Sequence, residues 1–178
     1  MSDESTKPGR LTHLDEEGHA RMVNVGEKPP SHRRCVARCE VSMEPATLLR
    51  ITAGDLPKGD VLAVARIAGI QAAKRAADWI PLAHPLPIDS VEILLHPDRE
   101  TNCLEVQATV ETHWRTGVEM EALVAASAAG LTVYDMCKAI DRGMSLQNLR
   151  LASKTGGKSG TFIREGEEEF GPGAPGGA

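Results

Sequence analysis

At 178 residues and a formal charge of −5, with 41% hydrophobic and 25% charged residues, the chain is sized for one domain with a core and composed like an ordinary globular protein. Aromatics at 3% and an acidic balance speak against a surface that coats nucleic acid, and no apolar run approaches the roughly 18–20 residues of a membrane span. The start MSDESTKPGR lacks the apolar region of a secretory signal, so a soluble, cytoplasmic protein is expected.

Residues 1–10 carry no hydrophobic period, and 165–178 run acidic and then Gly/Pro-rich. Both ends are expected to be disordered, leaving a single domain over 11–164. The first predicted element is a strand over 33–43, followed by a short helix over 44–52 that ends near Gly54. Asp60 is a candidate N-cap for a longer helix in which Val61, Val64, Ala65, Ala68, Ala72 and Ala76 recur at helical spacing, and Pro81 bounds it. Residues 90–96 and 103–113 read as two strands joined by the turn-rich segment HPDRETN.

Thr116 and Glu119 have the spacing of a capping box, predicting a helix that runs to about Asp141 with Gly143 as its stop. A strand over 146–151 precedes a Gly-rich segment at 154–160. Helices and strands mixed with a hairpin, without strict βαβ alternation, indicate an α+β fold with a mostly antiparallel sheet packed on helices, and a ferredoxin-like sandwich is the simplest layout. One sheet face would stay open, and the last helix is rich in Ala and Gly, so self-association is expected.

Four cysteines are expected to be reduced thiols. His32, Cys35 and Cys39 could supply three zinc ligands, or the two cysteines could be small hydrophobes on one face of a strand. His84 is stiffened by Pro81, Pro85 and Pro87, which suits proton transfer or a hydrogen bond to phosphate. Asp135 and Lys138 share a helix face, with Glu121 nearly on the same stripe, and acid/base work is open to them if they are partly buried. Gly157-Lys158-Ser159 imitates the end of a Walker A loop, but the required earlier Gly is Ala152 and no helix follows. A looser anion site built on Lys154, Lys158 and bare glycine amides remains, and Lys58, Arg33 and Arg34 could add charge.

Taken together, blocks of the chain resemble the cyclic pyranopterin monophosphate synthase family, the MoaC proteins of molybdenum cofactor biosynthesis. They are Leu11-Thr12-His13, Met22 to Val25, Lys58 to Val61, ARIAGIQAAK over 65–74, IPLAHPL over 80–86, TGVEMEAL over 116–123, LTVYDMCKAI over 131–140 and KTGGKSG over 154–160. The resemblance implies a lyase that converts 3′,8-cyclo-7,8-dihydroguanosine triphosphate to cyclic pyranopterin monophosphate and pyrophosphate. It also implies a homohexamer, a trimer of dimers, with sites at subunit interfaces. Asp135 matches the family's catalytic aspartate and Lys138 its helical partner, with His84 and Lys58 completing the catalytic set. Leu82, Ala83, His84, Met120, Glu121, Glu119, Lys154 and Arg33 form the implied substrate-binding set. No protein-held metal is expected, although Mg2+ can accompany the triphosphate. Two departures stand out: Ala83 occupies a position where the family commonly has Cys, and Asn24 one where it commonly has Asp. Two rivals from other classes are a nucleotide-binding module without activity and a zinc-stabilised interaction protein.

Overall fold

The computed structural model describes residues 17–167, so the segments 1–10 and 168–178, both expected to be disordered, lie outside the described residues. Strand β1 (Ser31–Ser42) is followed by helices α1 (Pro45–Ala53), α2 (Val61–Ala73) and the single turn α3 (Ala76–Trp79). Strands β2 (Ser90–Asp98) and β3 (Cys103–Trp114), helix α4 (Glu119–Cys137), strand β4 (Ser145–Thr155) and the two-residue β5 (Phe162–Ile163) complete the order. The strands form one sheet in the order β2-β3-β1-β4-β5, and every neighbouring pair is antiparallel. The fold is α+β, as the mixture of elements predicts.

Local chemistry accounts for most element ends. Asp60 caps α2, its carboxylate accepting from the Ala63 amide at 2.9 Å. Gly54 closes α1 in the left-handed region at φ 68°, where it incurs no side-chain clash. The capping box does not form. α4 begins at Glu119 with Val118 before it and no side-chain cap, because the Glu119 carboxylate turns to Lys154 instead of Thr116. α4 also stops at Cys137, four residues before the expected end, and β5 has no counterpart in the predicted elements.

The core lies between the helices and one sheet face. Cys35, Ala37, Cys39 and Val41 of β1 and Leu104, Val106, Ala108 and Val110 of β3 point into it. The small residues of α4 are used there: Ala122, Ala125, Ala126 and Ala129 are fully buried, and α2 meets them through Ala65 and Gly69. A Cβ on Gly69 would stand 3.1 Å from the Ala125 carbonyl oxygen, so the two backbones nearly touch. The opposite sheet face is a polar ladder rather than an apolar surface. Arg38 pairs across β1 and β3 with Gln107, and Glu40 with Glu105. Arg38 donates from Nε and Nη2 to Gln107 Oε1 at 3.0 and 2.8 Å. Glu167, within the tail expected to be disordered from 165, accepts from Arg38 at 2.5 Å and also from Arg150. Exposed apolar side chains occur on the helical layer, at Val64 and Ile67 of α2 and Leu131 of α4, and at the β4–β5 edge of the sheet, at Leu149, Phe162 and Ile163.

Candidate active site

The end of α4 carries a compact charged cluster. Asp135 Oδ1 lies 2.7 Å from Lys138 Nζ, one turn further along the chain. Lys58, delivered by the turn before α2, donates to the Asp135 carbonyl oxygen at 2.9 Å and stands 3.4 Å from Oδ2. The Lys138 ammonium, followed by Lys58, holds the Asp135 carboxyl below its ordinary range, and the same contact raises Lys138. Asp135 and Lys138 thus meet as their spacing predicts, and Lys58, expected among the phosphate lysines, joins them. The partly buried setting considered for them is not observed, since all three side chains are about half exposed.

A cleft of about 340 Å³ opens at the other end of α4. Leu82, Ala83 and His84 from the proline-stiffened loop face Met120, Glu121, Glu119 and Thr116 across it, with Val23 and Val25 as a further wall. The His84 ring lies 2.8 Å by Nε2 from the Val23 carbonyl oxygen, which can only accept. In the neutral ring Nε2 therefore carries the hydrogen and Nδ1 the lone pair, ready to take a proton. Glu121 is 4% exposed, and burial, with a smaller push from the Glu119 charge, raises its carboxyl to about 7. A carboxyl with that proton affinity exchanges its proton readily near neutral pH.

A second and larger cavity, about 1000 Å³, adjoins the first through Lys28, Thr116, Gly117 and Glu119. Arg33, Lys154 and Lys158 line it. Lys154 Nζ is 3.2 Å from Glu119 Oε1 and donates to Ser159 Oγ at 2.8 Å. Gly156 and Gly157 turn the chain there at φ 89° and 75°, and a side chain on Gly156 would overlap the His32 carbonyl. Only glycine fits.

Several sequence expectations change on this geometry. Lys58 does not join Lys154, Lys158 and Arg33, because it belongs to the Asp135 cluster. Glu121 and Asp135 share a helix but are fourteen residues apart, about 21 Å of rise. His32, Cys35 and Cys39 do not converge: His32 Nε2 lies 3.0 Å from Glu111, whereas both thiols are buried in the core and pushed up to about 12 by that burial. Among the described residues no group of three His, Cys, Asp or Glu side chains is placed to hold a metal ion. Asn24 uses its side-chain oxygen to accept from the Gly26 amide at 2.8 Å, a contact that an Asp would also make. Two cationic side chains of the cavity, Lys28 and Arg115, were not among the candidates; only their closeness to the matched blocks at 22–25 and 116–123 could have flagged them.

The family comparison spans the blocks from Met22 to Gly157. The sequence profile of the MoaC family matches residues 22–157. A cyclic pyranopterin monophosphate synthase of Thermomicrobium roseum is 58% identical over 158 residues, covering 89% of this chain and 95% of its own. The enzyme of that name from Roseiflexus sp. strain RS-1 is 59% identical over 155 residues, 87% of this chain and 98% of its own. That of Pelotomaculum thermopropionicum is 54% identical over 160 residues, covering 90% and 94%. No helix among the described residues is long and apolar enough to cross a membrane.

Proposed function

The chain belongs to the MoaC family, and we propose from this that it is a cyclic pyranopterin monophosphate synthase, a pyrophosphate-releasing lyase of molybdenum cofactor biosynthesis acting in the cytoplasm. The observation that carries the reading is identity of 58–59% to synthases along nearly their whole length. The substrate is the cyclic GTP-derived triphosphate, 3′,8-cyclo-7,8-dihydroguanosine triphosphate.

Two kinds of chemistry are needed, and the chain has groups for both. Opening the purine-derived part and rebuilding it as a pterin moves protons on and off nitrogen and oxygen. Glu121, with its carboxyl raised to about 7, can give or take a proton at neutral pH, and His84 Nδ1 can take one. Asp135, held ionised between two ammonium groups, serves as a proton acceptor whose conjugate acid passes the proton on easily, with Lys138 and Lys58 as its donors. Closing the cyclic phosphate requires a substrate hydroxyl to attack the phosphorus nearest the sugar. That hydroxyl loses its proton to a base, a new P–O bond forms, and the bond to the β-phosphate oxygen breaks to release pyrophosphate. Lys154, Lys158 and Arg33 neutralise the departing charge. A Mg2+ ion accompanying the triphosphate would add to the charge neutralisation that Lys154, Lys158 and Arg33 supply.

Because about 21 Å of helix separates the Asp135 cluster from the Glu121 cleft, one small substrate engages both only if they come from different copies. The exposed Val64, Ile67 and Leu131, on the helical layer that also carries Asp135, support such an assembly, and we take it to be a hexamer, a trimer of dimers. Incubating the purified protein with the cyclic triphosphate and following pyrophosphate and pterin fluorescence tests the function. Stoichiometric appearance of both is expected; binding without release of either would make the chain a nucleotide-binding module instead.

A further inference from the structure

The loop that carries Leu82, Ala83 and His84 into the cleft is poor in backbone donors. It joins α3 to β2 through Pro81, Pro85 and Pro87, and none of the three has an N–H to give. β3 supplies the fastening instead. The Asp89 amide donates to the Glu111 carbonyl oxygen at 2.9 Å and the His113 amide to Asp89 Oδ2 at 2.6 Å, which carries the β2–β3 pairing one residue past Ser90. Nearer the cleft the next hydrogen bond comes from a side chain: Thr112 Oγ1 donates to the Pro87 carbonyl oxygen at 2.5 Å.

Thr112 is fully buried, at the inward position of β3 that follows Leu104, Val106, Ala108 and Val110. A valine would suit that row. A hydroxyl there costs free energy unless it finds an acceptor, so the Pro87 carbonyl accounts for the threonine. From Pro87 to His84 the chain has few soft torsions, because Pro85 and Pro87 fix their own φ and hold His84 and Leu86 extended. A shift at Pro87 is therefore passed to the imidazole. The ring has little slack at its far end, where Nε2 lies 2.8 Å from the Val23 carbonyl oxygen and a stretch to about 3.6 Å would end the hydrogen bond.

We infer that Thr112 is a positioning residue for His84: its hydroxyl fixes the base of the loop so that the ring meets Val23 and keeps Nδ1 as the proton acceptor in the cleft. The use made of that nitrogen rests on the synthase reading. The placement of the ring does not.

Three variants test this. Thr112→Val keeps the shape and removes the donor, Thr112→Ser keeps the donor, and Thr112→Ala removes donor and branch together and serves if the valine variant fails to fold. 15N NMR of the histidine rings without substrate, at about pH 9 where imidazoles are neutral, reads the tautomer, with the His84 signals assigned by their loss in His84→Gln. Wild type and Thr112→Ser should show the Nε2–H form, and Thr112→Val and Thr112→Ala a mixture of the two tautomers. With the cyclic triphosphate, the variants without the hydroxyl should lose about ten-fold or more in kcat while KM changes by less than about two-fold, and Thr112→Ser should stay within about two-fold of wild type in both. A variant without the hydroxyl that keeps the wild-type tautomer overturns the inference even if it melts earlier, since Thr112 would then support the fold alone. An unchanged kcat beside a mixed tautomer overturns it too, as does a Thr112→Ser variant that behaves like Thr112→Val or a wild type already mixed in tautomer. A wild type that holds the Nε2–H form through Thr112 yet releases no pyrophosphate upholds the positioning and refutes the synthase reading.

Discussion

Glu121 and Asp135 lie on the same helix at opposite ends of it, Glu121 4% exposed in the cleft and Asp135 on the surface between two lysines. α4 is thus a rigid spacer between two unlike carboxyl environments, one that raises proton affinity by burial and one that lowers it by neighbouring charge. About 21 Å of helix lies between the two carboxyls, so each is tuned by its own surroundings and not by the other.

The buried Glu121 predicts a pH signature. Its carboxyl titrates near 7 in the folded chain against an ordinary 4.5, so below 4.5 it is protonated in both states and costs nothing. As pH rises from 4.5 to 7 the unfolded chain loses the proton first, and stability falls by up to about 3 kcal/mol relative to a neutral residue. Urea unfolding of the wild type and Glu121→Gln should therefore diverge over that range in favour of the variant. A difference independent of pH would contradict the burial.

Glu167 predicts which part of the tail matters. Its carboxylate bridges Arg38 and Arg150, and the side chains of Glu167 and Arg38 are only 9% and 7% exposed. Burial pushes its carboxyl up, but Arg150 and Arg38 hold it below the ordinary range, so its contribution is present above about pH 4.5 and is lost as pH falls below it. Glu167→Gln at pH 7 should cost about 3 kcal/mol by removing the carboxylate that bridges buried Arg38 and Arg150. Deleting 168–178 should leave melting and turnover nearly unchanged, whereas deleting 165–178 should reproduce the Glu167→Gln loss.

The contact between α2 and α4 predicts that Gly69→Ala destabilises by about 1–3 kcal/mol through overpacking. The new Cβ would stand 2.9 Å from Ile93 Cδ1, which can rotate, and 3.1 Å from the Ala125 carbonyl, which cannot. Chemical denaturation reads this directly, and an unchanged midpoint would mean that the helices part freely.

Lys154→Ala should act on binding first. Loss of a phosphate-facing ammonium should raise KM about ten-fold. If its contact tightens as pyrophosphate departs, kcat falls as well. Steady-state kinetics separate the two, and an unaltered KM would remove Lys154 from the phosphate site.

Most of the element order was legible because caps and periods act locally: Asp60 and Gly54 do as their chemistry dictates. The helix expected to reach Pro81 breaks into α2 and α3, however, and the β2–β3 turn shrinks to 99–102 as His96, Pro97 and Asp98 pair with β3. The Thr116–Glu119 box misled because Lys154, thirty-five residues later, competes for the same carboxylate, and a local pattern carries no sign of that rival. The same blindness placed Lys58 with the phosphate lysines, since a basic residue shows its charge in sequence but not its end of the helix. Self-association is expected from an open sheet face, yet that face is polar. Alternation along β1 interleaves Arg38 and Glu40 with core cysteines, which puts the polar set outside, while uncovered apolar residues sit on α2 and α4 and at the β4–β5 edge. Arg115 and Lys28 carry no motif of their own; in the sequence only their closeness to the matched blocks marks them, and the fold brings them into one cavity.

The most direct test of a site shared between copies is complementation. Asp135→Asn removes the proton acceptor at one end of α4 and His84→Ala the imidazole at the other, and each variant alone should lose about 100-fold or more of turnover. Co-expressed in equal amounts and purified as mixed oligomers, they should recover about a quarter of wild-type activity per site, because random assembly joins an intact cluster from one copy to an intact cleft from another at that frequency. Mixed oligomers as inactive as either parent would show that Asp135 and His84 serve the same substrate within one chain, and would contradict the account.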